Sequence, residues 1–588
     1  MCSSSIHSDV SPEHRRGAGP PTSEEAVRSA VDHRARGKRF WKQGEPMVWA
    51  TGAALAAVLL LTAVLLTVVV YNGVGVFWPE SVALVKFDDG TAVLGVRIRS
   101  EVNPDTDIRT VQFKTGNREL DPARQDFHWY PAKEIREITW PEDVFVVERL
   151  ENGNFYGILQ EVNAPNLDVP AGGVLKDRFL AALDAARRKK AAEIDPLAQK
   201  LSTLSDELQS IRYAVLRAEY RRDRALEGSP QGAPGLATPA LDAELARLAA
   251  REEALKAESD AMVSRQQDEV EALRRNSAIF RTAAGATKTI PLVEIVRPYT
   301  PNAMGLAEKI AHYFAKIGEL LRENPRESNT EGGLFPAIFG TVMLVFLMAI
   351  TCFPLGVLAG VYLGEYAKEG PLVRTVRIAV NNLAGIPSIV YGIFGLGFFV
   401  YGVGGLIDHW LFPERVANNM PTYGTGGILW ASLTLGLLTV PVVIVSTEEA
   451  LRTIPRGLRE GSYALGATKF QTLSRVLLPM ASPGVMTGFI LAMARAAGEV
   501  APLMITGVVK LAPDLPMDGS APYFHLDRKF MHLGFHIYDI GFQSPNVEAS
   551  KPMVYVTTLL LLLIVLSMSS LAIWLRNRMR KQFQSRSI

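Results

Sequence analysis

Cysteine is almost absent from this chain of 588 residues, which contains only Cys2 and Cys352. Two cysteines cannot form a disulfide framework or a thiolate metal cluster, so proteins built on either are excluded. Excess charge is also lacking, because 62 basic and 60 acidic residues leave a net charge of +2. This balance argues against a nucleic-acid binder that depends on a basic field. A wholly disordered protein is excluded as well, since 48% of the residues are hydrophobic.

Motifs for nucleotide binding and hydrolysis are missing too. The sequence has no G-x-x-x-x-G-K-[ST] motif, so this chain does not bind ATP through a P-loop. It has neither H-E-x-x-H nor G-x-S-x-G, which are typical of zinc proteases and serine hydrolases. His525, His532 and His536 lie close in sequence, but a polar loop is favoured over a zinc site for them. We predict no catalytic residue, no metal site and no cofactor on this chain.

Long apolar stretches are present, and they predict membrane-spanning helices, because about 20 apolar residues cross a bilayer. A polar segment (1–46) precedes the first stretch (47–71) and no cleavage pattern follows it, so a retained span is favoured over a signal peptide. The other stretches are residues 334–363, 381–406, 426–446, 482–507 and 553–575. Six such stretches argue against a soluble enzyme with buried helices.

Lysine and arginine concentrate in segments that would share one side of a membrane. Basic residues precede the first span, form the tail after the last (576–588), and occupy the loops between spans two and three and between spans four and five. Only Arg415 lies between spans three and four. The positive-inside rule therefore predicts cytoplasmic termini and an extracytoplasmic segment 72–333.

The sequence of segment 72–333 predicts an insertion in which strands come first and helices follow. In residues 72–175, the dipeptides Asp89-Gly90 and Asn152-Gly153 each join two strand-like runs, which predicts a small β-barrel or sandwich.

Residues 176–287 carry leucines at alternating spacings of four and three, which predicts a helical hairpin or coiled coil. A Gly- and Pro-rich break at 227–239 separates its helices. The hairpin is either a docking arm for a partner or a spacer. In residues 288–333 we predict a returning strand at 289–296 and an amphipathic helix at 302–322 that lies along the membrane surface.

The segment between the fourth and fifth spans is dense in turn and capping signals. These signals are Glu460, Gly461, Ser462, Gly466, Ala467 and Pro479. They predict a short helix, a glycine break, a second amphipathic helix and a proline stop before the next span. A soluble partner can bind a helix that lies across the cytoplasmic face and, through it, move the attached spans as one body.

Two ionisable residues interrupt the fifth apolar stretch. Arg495 and Glu499 lie near its predicted middle, where an arginine costs about 2.5–3.5 kcal/mol and usually marks a pathway. Four residues apart, they are predicted to share a helix face and pair. The guanidinium fork matches phosphate geometry, so the pair is either an anion pathway or a salt bridge that locks the bundle. Gly498 lies between these two residues in the sequence, and it predicts that helices approach closely there.

These motifs resemble those of bacterial ABC importer permeases. The spacing from Glu460 to Pro479 is similar to their EAA loop, although EGS stands in place of the EAA triplet. The stretches that look like the A-type permeases of phosphate-specific ABC importers are residues 335–345, 381–399, 454–472 and 494–504. The resemblance covers the first span and residues 333–588, and leaves the insertion unexplained.

The resemblance implies an all-α polytopic protein of the type I ABC importer permease fold, with a permease core at 334–575 and an α+β periplasmic insertion. It implies phosphate translocation across the bacterial inner membrane by alternating access, with Arg495 and Glu499 on the pathway. The implied partners are a homologous C-type permease, two ATPase subunits that hold ATP and Mg²⁺ and dock on the loop, and an extracytoplasmic phosphate-binding protein. A regulatory partner is a further expectation. Two alternatives remain: a permease for molybdate or sulfate, and a membrane-anchored phosphate sensor or docking protein.

Overall fold

The computed structural model of the chain describes residues 45–102, 107–120, 126–170, 172–227, 238–519, 523–544 and 547–584. The predicted N-terminal segment, most of the Gly- and Pro-rich break and the end of the basic tail therefore lie outside the described residues. The chain divides after Tyr71 into two compact units.

Helix α1 (Glu45–Gly75) carries the first apolar stretch. Its side chains are apolar on every face rather than along one stripe, which is typical of a helix surrounded by lipid. The hydroxyls of Thr51, Thr62 and Thr67 donate hydrogen bonds to carbonyl oxygens of the preceding turn. These three hydroxyls are thus satisfied without water, as a membrane span requires.

The insertion contains two five-stranded antiparallel sheets in its described part. The strands are β1 (Val82–Phe87), β2 (Ala92–Val102), β3 (Arg109–Lys114), β4 (Phe127–Pro131), β5 (Ile135–Thr139), β6 (Val144–Arg149), β7 (Phe155–Asn163), β8 (Ser277–Arg281), β9 (Thr287–Pro291) and β10 (Ile295–Tyr299). The strand orders are β4-β3-β2-β1-β5 and β10-β6-β7-β8-β9. Each sheet is a four-stranded meander whose fifth strand returns to pair with its first. The single returning strand predicted from sequence is an undercount, because β8, β9 and β10 all complete the second sheet.

The two sheets are structural repeats of each other. In both, a 3₁₀ turn joins the fourth strand to the fifth, at Ala132–Glu134 and at Leu292–Glu294. In both, proline precedes the turn and isoleucine begins the last strand. The sequence signal for a duplicated unit was therefore present, but the second copy is split by inserted helices.

The inserted helices are α2 (Leu175–Lys189), α3 (Asp195–Glu227) and α4 (Thr238–Arg274). Helices α3 and α4 form an antiparallel hairpin with Leu204 and Leu255 buried in it. Ion pairs cross the hairpin, including Arg212–Glu252 at 3.1 Å. After β10, helix α5 (Leu306–Arg322) and a two-stranded hairpin, β11 (Pro325–Arg326) and β12 (Glu331–Gly332), lead into the second span.

The remaining helices form the membrane bundle and its connections. They are α6 (Phe335–Val361), α7 (Pro371–Leu383), α8 (Ser388–Phe394), α9 (Gly405–Leu411), α10 (Pro413–Ala417), α11 (Ile428–Arg452), α12 (Arg456–Ala464), α13 (Lys469–Thr472), α14 (Leu478–Gly498), α15 (Ala501–Thr506), α16 (Leu533–Tyr538) and α17 (Val547–Gln584). Short π-helical segments join α8 to α9 and α13 to α14.

Among the described residues, six helices are long and apolar enough to cross a membrane, which confirms the predicted number of spans. They are Met47–Gly75, Phe335–Tyr366, Ser388–Leu411, Ile428–Arg452, Lys469–Gly498 and Val547–Lys581. The chain is a multi-pass membrane protein.

Helix α11 is the central helix of the bundle, and small residues on its neighbours allow them to approach it. A Cβ on Gly356 of α6 would lie 2.7 Å from Val443, and a Cβ on Gly484 of α14 would lie 2.6 Å from Ala450. Gly360 and Gly488 make equally close approaches one turn further on. Both neighbours thus use a G-x-x-x-G spacing, which lets membrane helices pack backbone against backbone.

The helical hairpin docks on the bundle of its own chain, at the loop between the third and fourth spans. Arg217 Nε of α3 lies 3.1 Å from Glu414 Oε1 of α10, and that carboxylate is almost fully buried. The Arg415 guanidinium stacks 3.6 Å above the Tyr213 ring. The hairpin therefore links the β-sheets to the loop between the third and fourth spans.

The loop before the sixth span differs from the polar loop predicted there. His532 and His536 are buried, and burial lowers the pKa of His532 to about 3 and that of His536 to about 4. His525 instead contacts Asp518, with 3.0 Å between Nε2 and Oδ1. No group of three or more His, Cys, Asp and Glu among the described residues could hold a metal ion.

Candidate functional site

The fifth span is broken at its end, where the two ionisable residues lie. Helix α14 ends at Gly498, Glu499 is extended with φ −77° and ψ 141°, and α15 begins at Ala501. The continuous helix expected over 482–507 is therefore wrong. Broken helices at membrane depth are tolerated where the irregular backbone is buried in protein or lines a cavity.

Arg495 and Glu499 form the predicted pair, but not in the predicted geometry. Arg495 Nε lies 3.5 Å from Glu499 Oε1, with the side chains 35% and 18% exposed. Arg495 is in the last turn of α14 rather than at the middle of the span, and Glu499 lies beyond the helix. A cation in the last turn is favoured by the helix macrodipole. The chain break, rather than a shared helix face, brings the carboxylate back to the guanidinium.

The third span forms the neighbouring wall of this site. The hydroxyl of Tyr391 on α8 donates a 2.7 Å hydrogen bond to the Leu383 carbonyl. A Cβ on Gly392 would lie 2.7 Å from the Pro502 Cα, so α8 and α15 are in backbone contact. Gly498 does not serve the predicted close approach, because a Cβ there would meet nothing within 4 Å among the described residues.

The segment between spans four and five (residues 453–479, hereafter the interspan segment) has the predicted short helix, glycine break and second helix in that order. Helix α12 contains Glu460, Gly461 and Ser462, and the chain turns at Gly466 with φ +81°. Glycine adopts this left-handed conformation without the penalty that a side chain brings. Thr468 and Gln471 form a capping box that begins α13.

Pro479 does not stop the second interspan helix. Helix α13 continues through the π segment Leu473–Leu477 into α14, so one helical body runs from Lys469 to Gly498. Pro479 lies in the first turn of α14, just after this π segment, where its missing N–H is accommodated. The Ser462 and Thr472 hydroxyls lie 2.8 Å apart and join α12 to this body. Helix α12 is thus connected to the helix that carries Arg495.

Arg459 fastens the interspan segment to two other spans, and the sequence reading missed it. Its Nη2 lies 2.6 Å from Glu365 Oε1 at the end of the second span. Its guanidinium also donates 2.7 Å hydrogen bonds to the carbonyl of Leu451 at the end of the fourth span and to that of Ile454 just after it. Glu365 is 94 residues away, so no local pattern indicates this contact.

Apolar side chains of the interspan segment are left uncovered by this chain. The exposed side chains are Leu458 (42%), Tyr463 (42%), Leu465 (91%) and Phe470 (69%). These four side chains are called the apolar patch below, and the exposed Glu460 lies in the same segment. Apolar patches rimmed by polar residues are typical of protein interaction sites.

A polar cavity of about 160 Å³ lies at the same end of the bundle, between α7 and α11. Glu448 is its central carboxylate, 2.8 Å from Arg377 Nε and 2.6 Å from Arg452 Nη2. Sequence reasoning did not single out these residues, because their spacing along the chain has no motif.

Comparison with known proteins gives the family. Residues 353–581 match the model of the binding-protein-dependent transport system inner membrane component. The chain is 33% identical over 242 residues to the probable phosphate transport system permease protein PstA of Methanocaldococcus jannaschii, covering 40% of this chain and 74% of that protein. It is 38% identical over 174 residues to PstA of Mycobacterium leprae (30% and 51%) and 34% identical over 200 residues to the probable ABC transporter permease YqgH of Bacillus subtilis (34% and 60%). The chain thus spans only about half to three fifths of the latter two relatives. It belongs to the family of binding-protein-dependent transport system inner membrane components.

Proposed function

We propose that this chain is the permease subunit of an ABC importer that carries inorganic phosphate across a bacterial inner membrane by alternating access. The observation that carries the proposal is the Arg495–Glu499 pair at the break of the fifth span. A guanidinium presents a planar fork of donors to a tetrahedral oxyanion. Two relatives are named as phosphate transport system permeases, which supports phosphate as the anion.

The pair offers an anion a site that it can enter and leave. In this structure Glu499 occupies one side of the Arg495 guanidinium. An arriving phosphate gains charge-assisted hydrogen bonds from the arginine but is repelled by the neighbouring carboxylate. Conduction needs binding that is favourable enough for entry and weak enough for release. Arg495 therefore attracts the ion, and Glu499 promotes its departure.

The proposal includes the partners that such a subunit requires. Two ATPase subunits holding ATP and Mg²⁺ dock on the apolar patch of the interspan segment, and a homologous C-type permease supplies the other half of the pathway. A soluble phosphate-binding protein delivers the ion, and a regulatory partner is a further expectation. In this arrangement both termini are cytoplasmic and residues 72–333, with both sheets and the hairpin, are periplasmic.

Competition in a reconstituted importer tests the substrate. We expect labelled-phosphate uptake to be suppressed by an about hundred-fold excess of unlabelled phosphate and to persist in the same excess of molybdate or sulfate, because the site selects its anion by differential affinity. The matched control is the importer without ATP. If the importer takes up labelled molybdate or sulfate but no phosphate, that oxyanion rather than phosphate is the substrate.

Shortening the helical hairpin separates a transporter from a sensor. Glu207 and Arg251 already face each other across it at 3.9 Å, so residues 208–250 can be replaced by a short turn. We expect phosphate uptake within about twofold of wild type, because no residue of the fifth span is touched, and a lower melting temperature, because the contact with α10 is lost. Arg217→Ala, which removes only the ion pair to Glu414, is the control. Abolished uptake with normal membrane levels would favour the sensor.

A further inference from the structure

Helix α5 exposes its apolar face and buries part of its charged face, which is the reverse of an ordinary surface helix. At 100° per residue, Leu306, Ile310, Phe314, Ile317 and Leu321 fall within a stripe about 80° wide. The side chains on this stripe are largely uncovered, with Leu306 68%, Phe314 65% and Leu321 42% exposed. In a soluble protein such a stripe faces the core.

The charged face of α5 is the one that packs against protein. Lys316 Nζ lies 3.0 Å from Glu148 on β6 and 3.1 Å from Glu319, and Arg297 of β10 lies 3.2 Å from Glu319. Glu319 is buried, which by itself raises its pKa, but the surrounding cations hold the pKa below its ordinary value. The ion cluster therefore fixes the rotation of α5 and leaves the apolar stripe pointing away from the sheets.

The position of α5 is tied to the ends of membrane spans. The Leu334 N–H, one residue before α6, donates a 2.7 Å hydrogen bond to the Leu320 carbonyl. Leu320 and Leu334 are both buried, in one apolar cluster with the first turns of the second span. Trp78 lies just beyond the end of α1, with its ring centroid 6.4 Å from that of Tyr313 on α5. Tryptophan and tyrosine are enriched where membrane meets water.

We propose that α5 lies in the plane of the membrane surface, with its apolar stripe in the boundary between lipid headgroups and acyl chains. Such helices reach about 5–10 Å into that boundary. Lipid is the occupant that these contacts favour, because the stripe ends beside the start of the second span and is flanked by the Trp78–Tyr313 pair. The insertion is thus attached to the bilayer as well as to the bundle. This inference does not depend on which ion is transported.

Spin labelling of the full-length chain in phosphatidylethanolamine–phosphatidylglycerol vesicles tests the proposal. In a Cys2→Ser, Cys352→Ser background, labels are introduced with Phe314→Cys and Leu306→Cys on the stripe, and with Glu253→Cys on the exposed face of α4 as the control. We expect the ratio of oxygen to nickel-chelate accessibility to be about tenfold higher at 314 and 306 than at 253. Two positions keep the test valid if one variant fails to fold.

Each other outcome overturns the proposal. A ratio at 314 and 306 equal to that at 253 means that the stripe faces water. Labels that are shielded from both reagents mean that protein covers the stripe, either a second copy of this chain or, when the measurement is repeated with the assembled importer, a partner subunit.

Discussion

Arg495→Ala is expected to abolish labelled-phosphate uptake, with a loss of about a hundredfold or more at low external phosphate. The variant removes the fork of donors that an oxyanion would bind, and hydrogen bonds to charged groups are worth about 1.5–3 kcal/mol each. It also leaves Glu499, only 18% exposed, as an unpaired carboxylate facing the incoming anion. Arg374→Ala on the exposed face of α7 is the matched control, since it removes one positive charge away from the fifth span. Unchanged uptake at normal membrane levels would contradict a pathway at this site.

The double variant Arg495→Ala, Glu499→Ala distinguishes a pathway from a structural lock. If the pair only locks the bundle, each single variant leaves a partly buried charge unpaired and lowers the melting temperature, and the double variant recovers stability. Uptake should recover with it. If the arginine binds the anion, the double variant stays inactive whatever its stability. Two readouts, melting temperature and uptake, therefore assign the role.

Arg459→Ala is expected to uncouple ATP hydrolysis from transport. Its guanidinium joins α12 to the ends of the second and fourth spans through Glu365 and two backbone carbonyls. Removing one partner of a buried pair costs about 3–5 kcal/mol, which is enough to release α12 from those spans. We expect the assembled importer to hydrolyse ATP at a rate near wild type while phosphate moved per ATP falls about tenfold.

The control for this variant is Arg456→Ala, an exposed arginine one turn earlier on the same helix. Glu365→Gln should give a smaller defect, because the amide oxygen still accepts a hydrogen bond from Arg459. If the Arg459→Ala importer moves as much phosphate per ATP as wild type, the contacts of Arg459 are not required for coupling. Loss of ATP hydrolysis and uptake together, with the ATPase subunits no longer co-purifying, would instead assign Arg459 to docking.

Local sequence determined the features whose physical cause is local. Six apolar stretches, five of them uncharged, specify six spans, because the cost of burying charge in lipid acts on each segment separately. Gly466 and the Thr468–Gln471 capping box set the turn in the interspan segment, since a left-handed residue and an N-cap are properties of a few adjacent residues. The Asp89-Gly90 and Asn152-Gly153 turns likewise identified their hairpins before any long-range contact was known.

Tertiary structure decided the features that depend on residues far apart in the chain. Strand β7 pairs with β8, with Asn163 opposite Ser277. The second sheet therefore joins strands that three inserted helices separate in the sequence. The break after Gly498, not a helical spacing, sets the geometry of Arg495 and Glu499. The Arg459–Glu365 contact and the rotation of α5 arise from partners on other elements. Apolar periodicity reveals that a helix has two faces, but only its packing decides which of them is buried, and on α5 the ion cluster with the second sheet makes it the charged one.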